Sequence, residues 1–225
     1  EPPAVVNLLA NEVSLTGVCR KWPSDAWPLH DPQAYFGKDG GGGIGGMPSI
    51  SIGCALAMHT RGRKTVGVLG DGDFLMGGHA LWTAVRHKIP LLLVINNNRS
   101  NFNDELHQET VARRRKRPLQ NRWIGQQIAD PDVDLAKFAE AQGAIGIGPV
   151  TNPAELDAAL KRGAETLAPG GVCLIALHVK PGRAPGSTPT PSPRHPNART
   201  RPQASGPPRA APIRARRSCA RWPRA

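Results

Sequence analysis

Cysteine is scarce in this chain: four in 225 residues, at positions 19, 54, 173 and 219, with no C-x-x-C pair among them. That pattern provides neither a zinc site nor a disulfide framework, and it predicts a reducing, cytoplasmic setting. Long apolar runs are missing too. No stretch reaches the ~18 apolar residues that a membrane span needs, and the opening Glu-Pro-Pro-Ala-Val-Val has neither the charged start nor the apolar core of a signal peptide. It does not begin with methionine, and reads as the middle of something longer. Acid is absent beyond Glu165. Residues 1–183 hold twenty basic and seventeen acidic side chains, a net +3, whereas 184–225 hold nine arginines, no lysine and no acid. The formal net charge of +12 therefore belongs mainly to a tail, and nucleic-acid binding is not expected of the folded part.

Proline and glycine are abundant, at 23 and 25 residues. Ten of the prolines fall after residue 183, where apolar periodicity also stops. Such a segment cannot bury enough surface to offset the entropy of ordering it, so 184–225 is expected to be a disordered basic tail behind a single domain at 1–183. Its abrupt change to Pro, Ala, Arg and Ser resembles a GC-rich gene read out of frame. An intact in-frame continuation at the locus would overturn that reading.

Within 1–183 the apolar pattern switches repeatedly between strand and helix periods. Strands are predicted at 5–9, 66–69, 91–95, 144–147 and 172–179. Helices are predicted at 49–59, with Ile50, Cys54, Ala57 and Met58 at helical spacing, between the two central strands, at 134–142 and at 152–167. Gly143 would end the third of these helices in a left-handed cap, and Pro153 would sit at the first position of the last. Segments 11–16, 20–39 and 99–131 are expected to be a polar loop, irregular structure and a long polar connection. Strands alternating with helices imply an α/β fold, a parallel sheet with helices on both faces.

The chemistry concentrates at the ends of the two central strands. One apolar run ends in Gly70-Asp71-Gly72 and the next in Asn96-Asn97-Asn98. A crossover helix between parallel strands would leave Asp71 and Asn98 at neighbouring carboxyl ends, where open α/β sheets bind ligands. A carboxylate and an amide oxygen beside glycines suit magnesium already holding a phosphate. Upstream, Gly41-x-Gly43-x-x-Gly46 formally matches a dinucleotide fingerprint. However, no clean apolar strand precedes it, and no acid stands about twenty residues on to hold a ribose. It is left as a flexible loop, or as one whose amides admit a phosphate or a ring. Arg113 to Arg117 reads as a solvated loop, and His79 and His87 as surface or packing residues.

Asp71 and Asn98 stand 27 residues apart, with Ala80-Leu81-Trp82-Thr83-Ala84 and Ile89-Pro90 between them. This arrangement resembles the GDG…NN signature of thiamine diphosphate-dependent enzymes, notably their acetolactate synthase and benzoylformate decarboxylase branches, over about residues 5–182. The resemblance implies the cofactors thiamine diphosphate and Mg²⁺. It makes the side chains of Asp71 and Asn98 and the backbone carbonyl of Ser100 the metal ligands. Ser14, in the segment NEVSLT, would contact the diphosphate, although Leu15 replaces a hydroxyl residue there. Gly42, Gly43, Ile44 and Gly45 match a Gly-Gly-Leu/Met-Gly element, with Ile44 as the bulky residue that bends the cofactor; the alternative for Ile44 is an ordinary core residue. Gly72 and Asp73 would lie beside the diphosphate. Asp73 departs from the usual serine, and a carboxylate there should turn away and leave only its backbone N–H as a donor. Asn101, Asn103, Asp104 and His107 are further candidates at the border of the site.

The implied activity is decarboxylation or carboligation of a small 2-oxo acid. In the family a pyrimidine-binding domain brings the activating glutamate, and the site lies between two chains of a dimer. Glu12 does not match that glutamate, so no catalytic residue is assigned here. The chain is expected to be inactive alone, and to need a pyrimidine-binding domain or subunit in a homo- or hetero-oligomer. The alternative is a truncated or frameshifted fragment with residual cofactor binding.

Overall fold

The computed structural model describes residues 13–17, 31–37, 43–168 and 170–180. The expectations for 5–9, for the glycines up to Gly42 and for the tail at 184–225 lie outside the described residues. In chain order the elements are β1 (Val13–Gly17), β2 (Tyr35–Gly37), α1 (Met47–His59), β3 (Lys64–Gly70), α2 (Asp71–Gly77), a 3₁₀ turn (Gly78–Ala80), α3 (Leu81–Arg86), β4 (Leu91–Asn97), α4 (Phe102–Arg114), α5 (Leu135–Glu140), β5 (Ile145–Val150), α6 (Pro153–Leu167) and β6 (Val172–His178).

All six strands run parallel in the order β2-β1-β3-β4-β6-β5. The two central strands are apolar on both faces, as a sheet covered on both sides requires. Leu91, Leu93 and Ile95 of β4 meet Leu69, Leu174 and Ala176 with Met47, Ile52, Phe74, Leu81 and Leu135 of the helices on one side. Leu92 and Val94 meet Val66, Val68, Cys173 and Ile175 with Ala159 and Leu167 of α6 on the other. Gly163 lets α6 lie close, since a methyl there would come 2.9 Å from Leu92 Cδ1 and 3.1 Å from Ile175 Cδ1. The register pairs Gly70 with Asn96, so the two central strands end level. No helix among the described residues is long and apolar enough to cross a membrane.

Helix ends follow local chemistry. Asn152 Oδ1 accepts the N–H of Glu155 at 2.9 Å with Pro153 in the first turn of α6, and Asp134 Oδ1 accepts the N–H of Lys137 at 3.0 Å at the start of α5. Gly143 has φ +87°, the left-handed cap expected of it.

Four expectations are corrected. Segment 11–16 is not all loop, because Val13–Gly17 is a strand paired with β3. Segment 20–39 contains a three-residue strand, Tyr35–Gly37, too short to carry a period. In α1 the buried stripe is Met47, Ser51, Ile52, Ala55 and Met58, offset from the expected one, and Ala57 is exposed. The connection at 99–131 contains a thirteen-residue helix, α4. Its buried positions are Glu105 and Glu109, so its inward stripe consists of carboxylates and no apolar period marks it. Acid in its first turn and Arg113 and Arg114 in its last complement the helix dipole. Arg113 is thus helical, and it grips Glu109 with Arg122.

Candidate cation and cofactor site

β3 closes at Gly70, and Asp71 begins α2 directly beyond it. Asp71 is 2% exposed. Its Oδ1 accepts the N–H of Gly72 at 3.0 Å and its Oδ2 the N–H of Ser100 at 3.2 Å. Burial pushes its carboxyl up from the ordinary range, opposed by the backbone N–H groups of Gly72, Arg99 and Ser100. No Lys, Arg or His forms an ion pair with it among the described residues. A buried anion with no protein cation is costly on its own. A bound cation would repair it.

The second strand end brings matching oxygen. Asn98 Oδ1 accepts the same Ser100 N–H at 2.9 Å, so Asp71 and Asn98 converge on one nitrogen. Asn97 Oδ1 instead accepts the N–H of Arg99 at 3.1 Å. Each asparagine thus bonds the backbone two residues ahead, the local turn this side chain favours, and Arg99, directly after them, takes φ +58°. The turn is strapped by segment 126–128: the N–H of Ile128 donates to the Arg99 carbonyl at 2.8 Å, and the N–H of Asn101 to the Gln126 carbonyl at 2.9 Å. Beneath it the Ser100 hydroxyl donates to the buried carboxylate of Glu105.

These donors fit a small hard cation. One carboxylate, one amide oxygen and a nearby backbone carbonyl leave most coordination positions to water or phosphate, as magnesium prefers. No group of three or more His, Cys, Asp and Glu capable of holding a metal occurs among the described residues, which excludes an all-side-chain cage of that type there.

The glycine loop lies against α2. Asp73 Oδ1 accepts the N–H of Gly45 at 2.5 Å. Gly45 has φ +96°, and a methyl at Gly77 would come 2.1 Å from the Gly45 carbonyl oxygen. A methyl at Gly43 would meet nothing within 4 Å, so the loop has open space on its outer side. Ile44 is 46% exposed and is not a core residue.

Not every expected residue joins this cluster. Ser14 pairs with Thr65 in the parallel register of β1 and β3. That leaves it six residues short of Asp71, about 20 Å along the strand at ~3.3 Å per residue, because residue 14 lies in a strand rather than in a loop at a strand end. Gly42 lies outside the described residues. The Gly72 N–H bonds the Asp71 carboxylate, and its missing side chain makes room for Asn101, whose Oδ1 would be 2.0 Å from a methyl there. Asn103 and His107 are exposed on α4 and Asp104 is half-buried. His79 and His87 are exposed. Glu105 and Asn97 were not anticipated; acids at the i,i+4 spacing 105 and 109 were the available signal.

The chain matches the family described as thiamine pyrophosphate enzyme, C-terminal TPP binding domain, over residues 16–176. It is 29% identical over 142 residues to the acetolactate synthase of Bacillus subtilis (strain 168), covering 63% of this chain and 23% of that protein. It is 33% identical over 70 residues to the benzoylformate decarboxylase of Pseudomonas aeruginosa, covering 31% of this chain and 13% of that protein. Among solved structures, the benzoylformate decarboxylase of Polynucleobacter necessarius superposes with a TM-score of 0.62 at 23% identity, over 82% of this chain and 34% of that one. The chain thus spans less than a quarter of the length of these curated relatives.

Proposed function

Because the chain belongs to the thiamine pyrophosphate enzymes, as their C-terminal TPP-binding domain, we propose that its Asp71 cluster holds Mg²⁺ and the diphosphate of thiamine diphosphate. The reaction served is decarboxylation or carboligation of a small 2-oxo acid. The observation that carries this reading is the buried Asp71 carboxylate, which has no ion-pair partner among the described residues and shares the Ser100 N–H with Asn98. Asp71, Asn98 and the Ser100 carbonyl hold the metal. Gly43 leaves room for the cofactor, Ile44 supports it, and the backbone N–H of Asp73 donates to the diphosphate. When bound, thiamine diphosphate supplies the electron sink that a bond next to a 2-oxo carbonyl needs in order to break. These residues anchor and orient it, from the ends of β3 and β4.

A pyrimidine-binding domain completes the site, in a homo- or hetero-oligomer. Support comes from exposed apolar side chains on the loop and on α1–α3, namely Ile44, Leu56, Met76 and Trp82. Scattered exposed apolar residues are ordinary, but Ile44 and Met76 adjoin the contact between the glycine loop and α2. The test is reconstitution: the purified chain is assayed for decarboxylation of 2-oxo acids with and without a separately expressed pyrimidine-binding domain. Activity is expected only in the mixture. Robust turnover by residues 1–225 alone would contradict the proposal, and so would a mixture that binds no cofactor. The second outcome would favour the alternative of a non-catalytic fragment.

A further inference from the structure

Gly43 and Gly45 flank Ile44 with residues of wide backbone freedom, yet a bulky side chain such as Ile44 can support a cofactor only from a fixed backbone. We propose that Asp73 is the positioning residue that fixes it, its carboxylate acting on the loop and not on phosphate or metal. Its consequence for cofactor binding rests on the function proposed above; the clamp itself does not.

Three contacts carry the inference, and all meet one residue. Asp73, Met76 and Gly77 stand at i, i+3 and i+4 on α2, and therefore on one face of it. Asp73 Oδ1 accepts the Gly45 N–H at 2.5 Å. A methyl at Gly45 would come 2.9 Å from Met76 Cβ, and one at Gly77 would come 2.1 Å from the Gly45 carbonyl oxygen. The loop is thus pressed flat on the helix, with glycine required on both sides of the contact. Gly45 at φ +96° turns its N–H toward the helix while Ile44, one residue earlier, stays 46% exposed. A hydrogen bond to a charged acceptor is the strong kind. The clamp also accounts for an acid at residue 73, which a phosphate contact would not, since a carboxylate repels a diphosphate unless its charge is directed elsewhere.

The test separates acceptor from charge. Asp73→Asn keeps a carbonyl oxygen for the Gly45 N–H and removes the charge; Asp73→Ala removes both. Amide hydrogen exchange is followed in the cofactor-free chain at Gly45, with β3 and β4 as internal controls. Asp73→Ala is expected to speed exchange at Gly45 by about tenfold or more, the effect of losing one charge-assisted hydrogen bond, with β4 unchanged. Asp73→Asn, which keeps the acceptor without its charge, is expected to speed exchange by less than Asp73→Ala, about threefold to tenfold over the parent. Unchanged exchange at Gly45 in Asp73→Ala, or equally fast exchange in Asp73→Asn, would overturn the proposal. Should Asp73→Ala also lose protection in β4, Asp73→Asn alone decides, because retained protection supports the clamp and lost protection refutes it. A parallel titration with thiamine diphosphate and Mg²⁺ is expected to show weaker binding for Asp73→Ala, and equal or tighter binding for Asp73→Asn. If the parent binds no cofactor, the function proposed above fails while the exchange experiment still judges the clamp.

Discussion

Replacing Asp71 by asparagine should separate the proposed function from the fold. The side chain keeps its shape, and an amide oxygen can still accept the Gly72 N–H that Oδ1 holds at 3.0 Å. The Ser100 N–H, now 3.2 Å from Oδ2 and 2.9 Å from Asn98 Oδ1, loses at most one of its two acceptors. Losing that bond costs about 1 kcal/mol. Against it, a buried carboxylate with no counter-ion among the described residues disappears, which is favourable by a similar amount or more. The metal-free variant is therefore expected within about 1 kcal/mol of the parent, a melting-temperature change of about 2–4 °C or less. Cofactor linkage behaves differently. At a hundred times its dissociation constant, thiamine diphosphate with Mg²⁺ should stabilise the parent by about 2.7 kcal/mol, or roughly 5–10 °C. If Asp71→Asn weakens binding about a hundredfold, the same concentration leaves only about 0.4 kcal/mol, near 1 °C. Thermal melts with Mg²⁺ and cofactor, against melts with chelator, measure both numbers. An undiminished ligand-induced shift in Asp71→Asn would refute the assignment of Asp71 to the metal. A collapse of the metal-free variant by several kcal/mol would make Asp71 a structural residue instead.

Three further outcomes are expected. Glu105→Ala leaves the buried Ser100 hydroxyl without its acceptor and should destabilise by about 1–3 kcal/mol in denaturant melts, whereas Glu105→Gln should recover most of that; equal losses for both would refute the hydrogen-bond account. Cys173 is fully buried and its thiol is pushed up to about 11 from 9.0 by burial. At pH 8 its thiolate population should be about a hundredfold below that of an ordinary thiol, and native-state alkylation at the rate of a free thiol would contradict this. The sign for stability follows: this contribution is whole below pH 9.0 and is lost as pH rises toward about 11. Asp134→Ala removes the cap of α5 and should cost about 0.5–2 kcal/mol. The Lys137 N–H holds the Asp134 carboxyl below its ordinary 3.8, so the parent's advantage should persist above that pH and fade as pH falls beneath it.

The central βαβ unit was legible because both its strands are buried on both faces, and such strands appear as unbroken apolar runs. The ends of α5 and α6 were legible for a local reason, since Asp134, Gly143, Asn152 and Pro153 act on the backbone within a few residues of themselves. Elements without their own apolar period were not. β2 has three residues and draws its place from pairing with β1. α4 turns Glu105 and Glu109 inward, satisfied by Ser100, Arg113 and Arg122, so its inner face reads as a surface. A pattern that equates buried with apolar misses a helix packed through carboxylates.

The same division runs through the site. Asp71 and Asn98 were legible because topology alone carries them together: two parallel strands that end level, at Gly70 and Asn96, must present whatever follows them side by side. Glu105 and the contact between Asp73 and Gly45 were not, because neither follows from strand order. The first depends on the turn at Arg99 that carries Ser100 onto α4, and the second joins a helix to a loop 28 residues earlier in the chain. Placing both oxygens on strand ends gives them a rigid base, and burying the Asp71 carboxylate there with no counter-ion among the described residues sacrifices stability that an apolar residue would have kept. A fold accepts that loss where the missing charge is brought by a ligand. The glycine loop that we propose supports the cofactor has no such base, and the Asp73 carboxylate on the neighbouring helix, which accepts the Gly45 N–H, would supply one.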